Sequence, residues 1–255
     1  RYVSTVDSGN LAASLLTFKE GILSLYTLPV LRDDLYKGLT DTIAVLREKT
    51  KEPGAFQKII EDHQEIGTTA SVRLSSAKTF LEKLLPAAEA FLDKQKTIGT
   101  TESIWWAETL VKQCSNASFE LTTLTGWMQD VDQHPKLSEV FRMPVHIPSL
   151  NDLMNMTDVL LPRLEKTILN EQGPEEKEWM IELESRIRNA RLMAAEMIES
   201  IDTLAKQCIE LADYQYDFLF DPTQHFFSIG YNVEDHRRDP GCYDLLGSEA
   251  RLGVY

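Results

Sequence analysis

The chain has 255 residues, 43% of them hydrophobic, enough for the core of one large domain or two small ones. Lysine and arginine number 26 against 40 acidic residues, and the net charge of -14 argues against a nucleic-acid partner, which would want a basic stripe. No apolar run approaches the roughly eighteen residues that mark a membrane span, and no apolar stretch follows Arg1-Tyr2-Val3 as in a secretory leader.

Helical periodicity dominates most of the chain. A first helix is predicted from near Ser8 to Leu28, where Pro29 stops it, because Leu11, Leu15, Phe18, Ile22 and Tyr26 recur at three- and four-residue steps. A second covers 31–51, ahead of Pro53-Gly54, and a short one runs from Ala55 to Ile66. A fourth spans 72–97 with Pro86 as a point of bending. The next, 101–132, opens on the capping-box-like Thr100-Thr101-Glu102-Ser103 and carries Trp105-Trp106, of which at least one ring should be core. Residues 135–148 hold three prolines and no clear period, so Pro144-Val145-His146-Ile147-Pro148 reads as an internal connector. A helix follows over 149–170.

The longest element begins at Gly173-Pro174. Met180, Leu183, Ile187, Ala190, Ala194, Met197, Ile201, Leu204, Cys208 and Leu211 alternate steps of three and four, a heptad seam. A helix of about forty residues is near 60 Å long and must lie against long partners, most simply 101–132 and 72–97. Beyond it the period changes. Phe218-Leu219-Phe220 and Phe226-Phe227-Ser228-Ile229-Gly230-Tyr231, separated by the turn residues Asp221 to His225, read as a β-hairpin. Asp239-Pro240 then reads as the N-cap and first position of a last helix.

Candidate binding residues cluster at the two ends. Asp7-Ser8-Gly9-Asn10 reads as a helix start with Asp7 or Ser8 as N-cap; equally, Asp7 and Asn10 offer a hydrogen-bonding edge to hydroxyl groups. In the last helix Asp244, Ser248 and Arg251 share one side, so Asp244 and Arg251 form a brace. Glu249 has leucines at i−4, i−3 and i+3, and a carboxylate so enclosed needs a structural partner or a ligand. Asp239 opens that helix, while Tyr231 and Tyr243 are rings that either fill core or stack on a sugar. The five histidines show no ligand spacing, and no HExxH, CxxC or phosphate-cradling glycine loop is present, so no metal or cofactor is expected. Cys114, Cys208 and Cys242 are odd in number and widely spaced, which suits a reducing compartment.

The two ends also carry a resemblance. Phe218-Leu219-Phe220-Asp221-Pro222, Phe227-Ser228-Ile229-Gly230-Tyr231 and Asp239-Pro240…Tyr243-Asp244-Leu245-Leu246…Ser248-Glu249-Ala250-Arg251-Leu252 resemble the cyclic β-1,2-glucan synthases at the start of their glycoamylase-like region. The usual pattern there is FLYDP…LFSIGY…DPSYYDLLASEARL. Val3-Ser4-Thr5-Val6-Asp7-Ser8-Gly9-Asn10-Leu11-Ala12 is similar to the family's STVDSGNLAGHL. The chain departs from the pattern at Gly241-Cys242, where Ser-Tyr is usual, at Gly247, where Ala is usual, and at Ala13-Ser14, where Gly-His is usual.

The resemblance implies a mainly α fold: a helical bundle with a long heptad helix, leading into the first part of an (α/α) toroid, plus one β-hairpin. It divides the chain into a first toroid helix (1–30), a helical bundle or stalk (31–213) and the hairpin with the opening of the glycoamylase-like domain (214–255). Its implied partners are a β-1,2-glucan chain and the rest of the same polypeptide, and its implied place is the cytoplasmic face of a bacterial inner membrane, within a larger membrane protein. Asp7, Asn10, Tyr231, Asp239, Tyr243, Asp244, Glu249 and Arg251 become candidate glucan contacts. The catalytic carboxylates of the cyclisation reaction are expected downstream of Tyr255, so these residues alone should not turn over substrate. The alternative is a non-catalytic helical module that docks the glycosyltransferase and cyclisation regions.

Overall fold

The computed structural model describes residues 1–62, 70–134, 137 and 147–242. The fold is mainly α with a small amount of antiparallel sheet. Residues Leu25–Ile198 form one compact unit, and Arg1–Ser24 together with Glu199–Tyr255 form the other. Among the described residues no helix is long and apolar enough to cross a membrane.

The larger unit is a helical bundle. It holds α2 (Asp33–Thr50), α3 (Gln57–Glu61), α4 (Ala70–Ile98), α5 (Thr101–Gln133), α6 (Leu150–Asn170) and the first part of α7 (Pro174–Ala212). The helices predicted for this stretch all appear, with ends displaced by a few residues. Helix α4 packs along α5, and α2 packs on the same α5. Leu39, Ile43 and Leu46 of α2, Leu81 and Leu84 of α4, and Leu110, Cys114 and Trp127 of α5 are all buried. Their three- and four-residue spacing is the face each helix turns inward. Thr42 bridges α2 to α5 by donating to Gln113 Oε1 at 3.0 Å, which satisfies a buried hydroxyl.

The α4–α5 turn is only two residues long and depends on a glycine. A Cβ on Gly99 would stand 2.6 Å from the Gln95 carbonyl oxygen and from Ser103 Oγ. Thr100 and Ser103 then cap α5 reciprocally, each side chain meeting the other's backbone N–H at 3.2 and 2.9 Å. Ser149 and Asp152 do the same for α6. Neither tryptophan of the Trp105-Trp106 pair is fully buried; the rings meet edge to face at 4.8 Å, and Trp105 is 57% exposed.

Helix α7 finds its side-chain partners on α5 and α6. Arg186 pairs with Asp130 of α5, and Arg188 and Arg191 pair with Glu165 and Asp158 of α6. Exposed pairs of this kind contribute little stability, but they mark α6, beside the expected α5, as a flank of α7. The heptad seam is unbroken as far as Ala194 and holds in part beyond it, where Ile201 and Cys208 are still buried. Met180, Leu183, Ile187, Ala190 and Ala194 are at most 1% exposed, whereas Leu204 is 45% and Leu211 61% exposed. A straight helix of 3.6 residues per turn drifts about 20° per heptad from a 3.5 repeat. Leu204 and Leu211 therefore rotate off the inward face, and Ala205, one residue on from Leu204, is buried with Ile201 and Cys208 instead.

In the smaller unit the tail is not a simple hairpin. Strand β1 (Tyr2–Ser4) pairs antiparallel with β4 (Gly230–Asn232), which pairs in turn with β5 (Arg237–Arg238). A separate two-stranded hairpin joins β2 (Phe220–Asp221) to β3 (Phe226–Phe227). The second apolar run of the predicted hairpin is thus divided between two sheets at Ser228-Ile229. Ser228 is 1% exposed, and its hydroxyl lies 3.1 Å from both the Leu219 and Gly230 carbonyls.

The helix expected at Asp239-Pro240 does not start there. Asp239 Oδ1 accepts from Gly241 N at 3.1 Å, Ile229 N donates to Gly241 O, and Cys242 bridges to Ser228. Main-chain pairing keeps the backbone out of a helix through Cys242, so the aspartate closes a turn instead of capping a helix.

Ile187→Ala and Leu211→Ala test the drift of the seam. The first removes a fully enclosed side chain and should lower unfolding free energy by about 2–5 kcal/mol. The second, on the same predicted seam, should stay within about 0.5 kcal/mol of the unsubstituted chain in urea denaturation.

Candidate functional site

The smaller unit contains a groove of about 640 Å³. Its walls come from three short stretches: Tyr2, Val3 and Ser4 of β1; Asp7, Ser8 and Leu11 of α1 (Thr5–Ser24); and the residues from Tyr214 to Leu219 that follow α7, Asp217 excepted.

The β1–α1 corner is built by local bonding. Ser4 Oγ accepts from Asp7 N at 3.3 Å, which makes Ser4 the N-terminal cap in place of the expected Asp7 or Ser8. Thr5 N donates to Ile229 O at 3.0 Å and Thr5 Oγ1 to Ser228 O at 2.7 Å, so the first turn of α1 is tied to the joint between the two sheets. Asp7 therefore sits in the first turn with its side chain exposed, at a position where a negative charge favours the helix dipole. Asn10 lies a turn further on and does not line the groove. Its Oδ1 is enclosed, with no hydrogen-bond partner among the described residues.

Tyr231 and Asp239 stand behind the groove wall. The Tyr231 ring meets Phe218 edge to face at 5.2 Å and 83°. Asp239 Oδ2 accepts from the Tyr2 hydroxyl at 3.2 Å. Tyr243, Asp244, Glu249 and Arg251 lie outside the described residues.

Sequence reasoning missed Tyr2, Tyr214, Gln215, Tyr216 and Phe218 as lining residues. Their signal is the alternation Tyr214-Gln215-Tyr216-Asp217-Phe218, which breaks the helical period just after Ala212. The rings continue outward as an edge-to-face series, Tyr214 to Tyr216 at 5.8 Å, Tyr216 to Phe227 at 6.3 Å and Phe227 to Phe220 at 5.5 Å.

The β2–β3 turn carries a charge set by its backbone. Asp221 accepts from Thr223 N at 2.8 Å and Gln224 N at 3.3 Å. These two N–H donors, with the nearby Arg238 guanidinium, hold its carboxyl below the usual carboxylate range.

Asp7 is the one carboxylate among the described lining residues. Aromatic rings beside a few polar groups fit a ligand with both apolar faces and hydroxyls.

No family model matches the chain. It is similar over 37 residues, at 54% identity, to the cyclic beta-(1,2)-glucan synthase NdvB of Rhizobium meliloti (strain 1021). The match covers 14% of this chain and 1% of that protein. It supports a relationship to a glucan synthase, confined to a short local stretch.

Gly230→Ala tests the construction of the groove. The new Cβ would stand 2.5 Å from the Tyr2 ring and press on the Val3 carbonyl. The substitution should cost about 1–3 kcal/mol and release the β1 amides to fast hydrogen exchange. A pH series tests the β2–β3 turn in the same way. A carboxyl with a depressed folded pKa contributes stability above its unfolded pKa and loses it as pH falls through the folded value. The protection of Thr223 and Gln224 amides should therefore persist to pH values below the ordinary aspartate range, then fall, and be absent in Asp221→Ala at every pH.

Proposed function

We propose that this chain is part of a cyclic β-1,2-glucan synthase-like protein and that the groove of its smaller unit is a wall along which a β-1,2-glucan chain lies. The observation that carries the reading is the lining itself: rings at Tyr2, Tyr214, Tyr216 and Phe218 beside Asp7, Ser8 and Gln215. A pyranose has an apolar face for a ring and hydroxyls for a carboxylate or amide, and an uncharged glucan is not repelled by a chain of net charge -14. The 37-residue similarity to a glucan synthase supports the same class of ligand.

On this reading the unit holds the glucan and the reacting carboxylates are supplied elsewhere in the polypeptide. Asp7, a groove-lining carboxylate, accepts hydroxyl donors, while Tyr231 and Asp239 act through the rings they support. A docking role for the larger unit draws no support from its heptad seam, since Met180, Leu183 and Ile187 are enclosed within that unit.

Calorimetric titration with a linear β-1,2-glucan tests the reading. Asp7→Ala should weaken binding about tenfold, the scale of a hydrogen bond to a charged group, while the melting temperature moves little because the side chain is exposed. Equal affinity for the two proteins would remove Asp7 from the site.

A further inference from the structure

Tyr2 is 51% exposed, yet it is held at both ends. In the β1–β4 register Tyr2 faces Asn232 and Ser4 faces Gly230, so Gly230 is the diagonal cross-strand neighbour of Tyr2 on the same face. The ring lies against the bare glycine so closely that an added Cβ would be 2.5 Å from its Cε1 and Cζ atoms. At the far end its hydroxyl donates to Asp239 Oδ2 at 3.2 Å, and the other oxygen of that carboxylate accepts from Gly241 N. The backbone beneath is fixed as well, since Val233 N donates to Arg1 O at 3.0 Å. An exposed ring with so little freedom has lost its ordering entropy before any ligand arrives, which raises affinity for whatever it touches.

We propose that Tyr2 is the ring on which a glucose unit stacks in the groove, with Gly230 and Asp239 as its positioning residues. The inference rests on the groove being a glucan site and adds which ring makes the contact and what holds it. It also gives Asp239 a role different from the direct sugar contact expected from the sequence. Asp239 reaches the ligand only through Tyr2. The two oxygens of Asp239 divide the work: Oδ1 closes the Asp239–Gly241 turn, and Oδ2 sets the angle of the ring.

The test is a double-mutant cycle on the full chain, read by calorimetric titration with a linear β-1,2-glucan and by a thermal melt of each variant. Tyr2→Ala should weaken binding by about tenfold, the scale of a lost aromatic contact. Tyr2→Phe keeps the ring and frees it, and Asp239→Ala does the same from the other side. Each should weaken binding about threefold to tenfold, and the double variant no more than either one, because both break the same bond. Asp239→Asn keeps an oxygen for the Gly241 amide and offers its NH2 to the Tyr2 hydroxyl, which then accepts in place of donating, so it should bind nearly as well as the unsubstituted chain.

Equal weakening by Asp239→Ala whether Tyr2 is intact or already carries the Tyr2→Phe change would assign Asp239 to the turn alone and overturn the positioning role. Binding lost in Asp7→Ala but unchanged in Tyr2→Ala would overturn the stacking role and leave the groove reading standing. No binding by the unsubstituted chain would sink both.

Discussion

The smaller unit depends on one antiparallel pairing, β1 with β4. It brings the first residues of the chain to a strand more than two hundred positions away, and the bond from Thr5 Oγ1 to Ser228 O spans 223 residues. Without it α1 has no fixed starting point, and the β1 and α1 walls of the groove have nothing to hold them against the aromatic segment. Closing so long a loop in a flexible chain costs about 5 kcal/mol of entropy beyond a constant. The larger unit reduces that cost, because its two exits are near each other: the Tyr26 hydroxyl donates to Ile198 O at 3.4 Å. The bundle is thus an insertion with adjacent ends, the arrangement that a host unit tolerates best.

Close backbone approach makes the pairing possible, and a glycine makes the approach possible. Gly230 leaves room for the Tyr2 ring and the Val3 carbonyl, and Ser228 satisfies its buried hydroxyl on carbonyls to either side. One short stretch, Ser228-Ile229-Gly230, therefore joins two sheets and the start of a helix. The exposed rings nearby gain their order from this joint and not from burial. Exposed apolar side chains remain on α1, with Leu11, Leu16 and Phe18 about half exposed, while Ala12 and Ile22 are its buried residues.

Helices were legible in the sequence because their signals are local. The period of α2, α4, α5 and α6 and the cap at Thr100 are set by residues only a few positions apart. The seam of α7 was fully legible as far as Ala194; beyond it Ile201 and Cys208 are buried as read, while Leu204 and Leu211 are not, because a heptad count ignores the 20° drift of a straight helix. Strand β1 was not legible: three residues before a helix carry no period, and their partner is at the other end of the chain. The same non-local bonding misled the reading of Asp239-Pro240, whose residues suit a helix start while Ile229 and Ser228 hold the following backbone in a bridge. Of the candidate contacts, Asp7 lines the groove, Asn10 does not, and Tyr231 and Asp239 support rings that do. Tyr2 and the Tyr214–Phe218 alternation were readable only as aromatic residues without a shared location.

The central claim is that β1, the first turn of α1 and the aromatic segment after α7 make one surface for a glucan. Backbone amide shifts during titration of the isotopically labelled chain with linear β-1,2-glucan test it most directly. The account predicts saturable shifts at Tyr2, Asp7, Ser8 and Tyr214 to Phe218, with the amides of α2, α4 and α5 unmoved. Shifts confined to the helical bundle, or none at any ligand concentration, would contradict it.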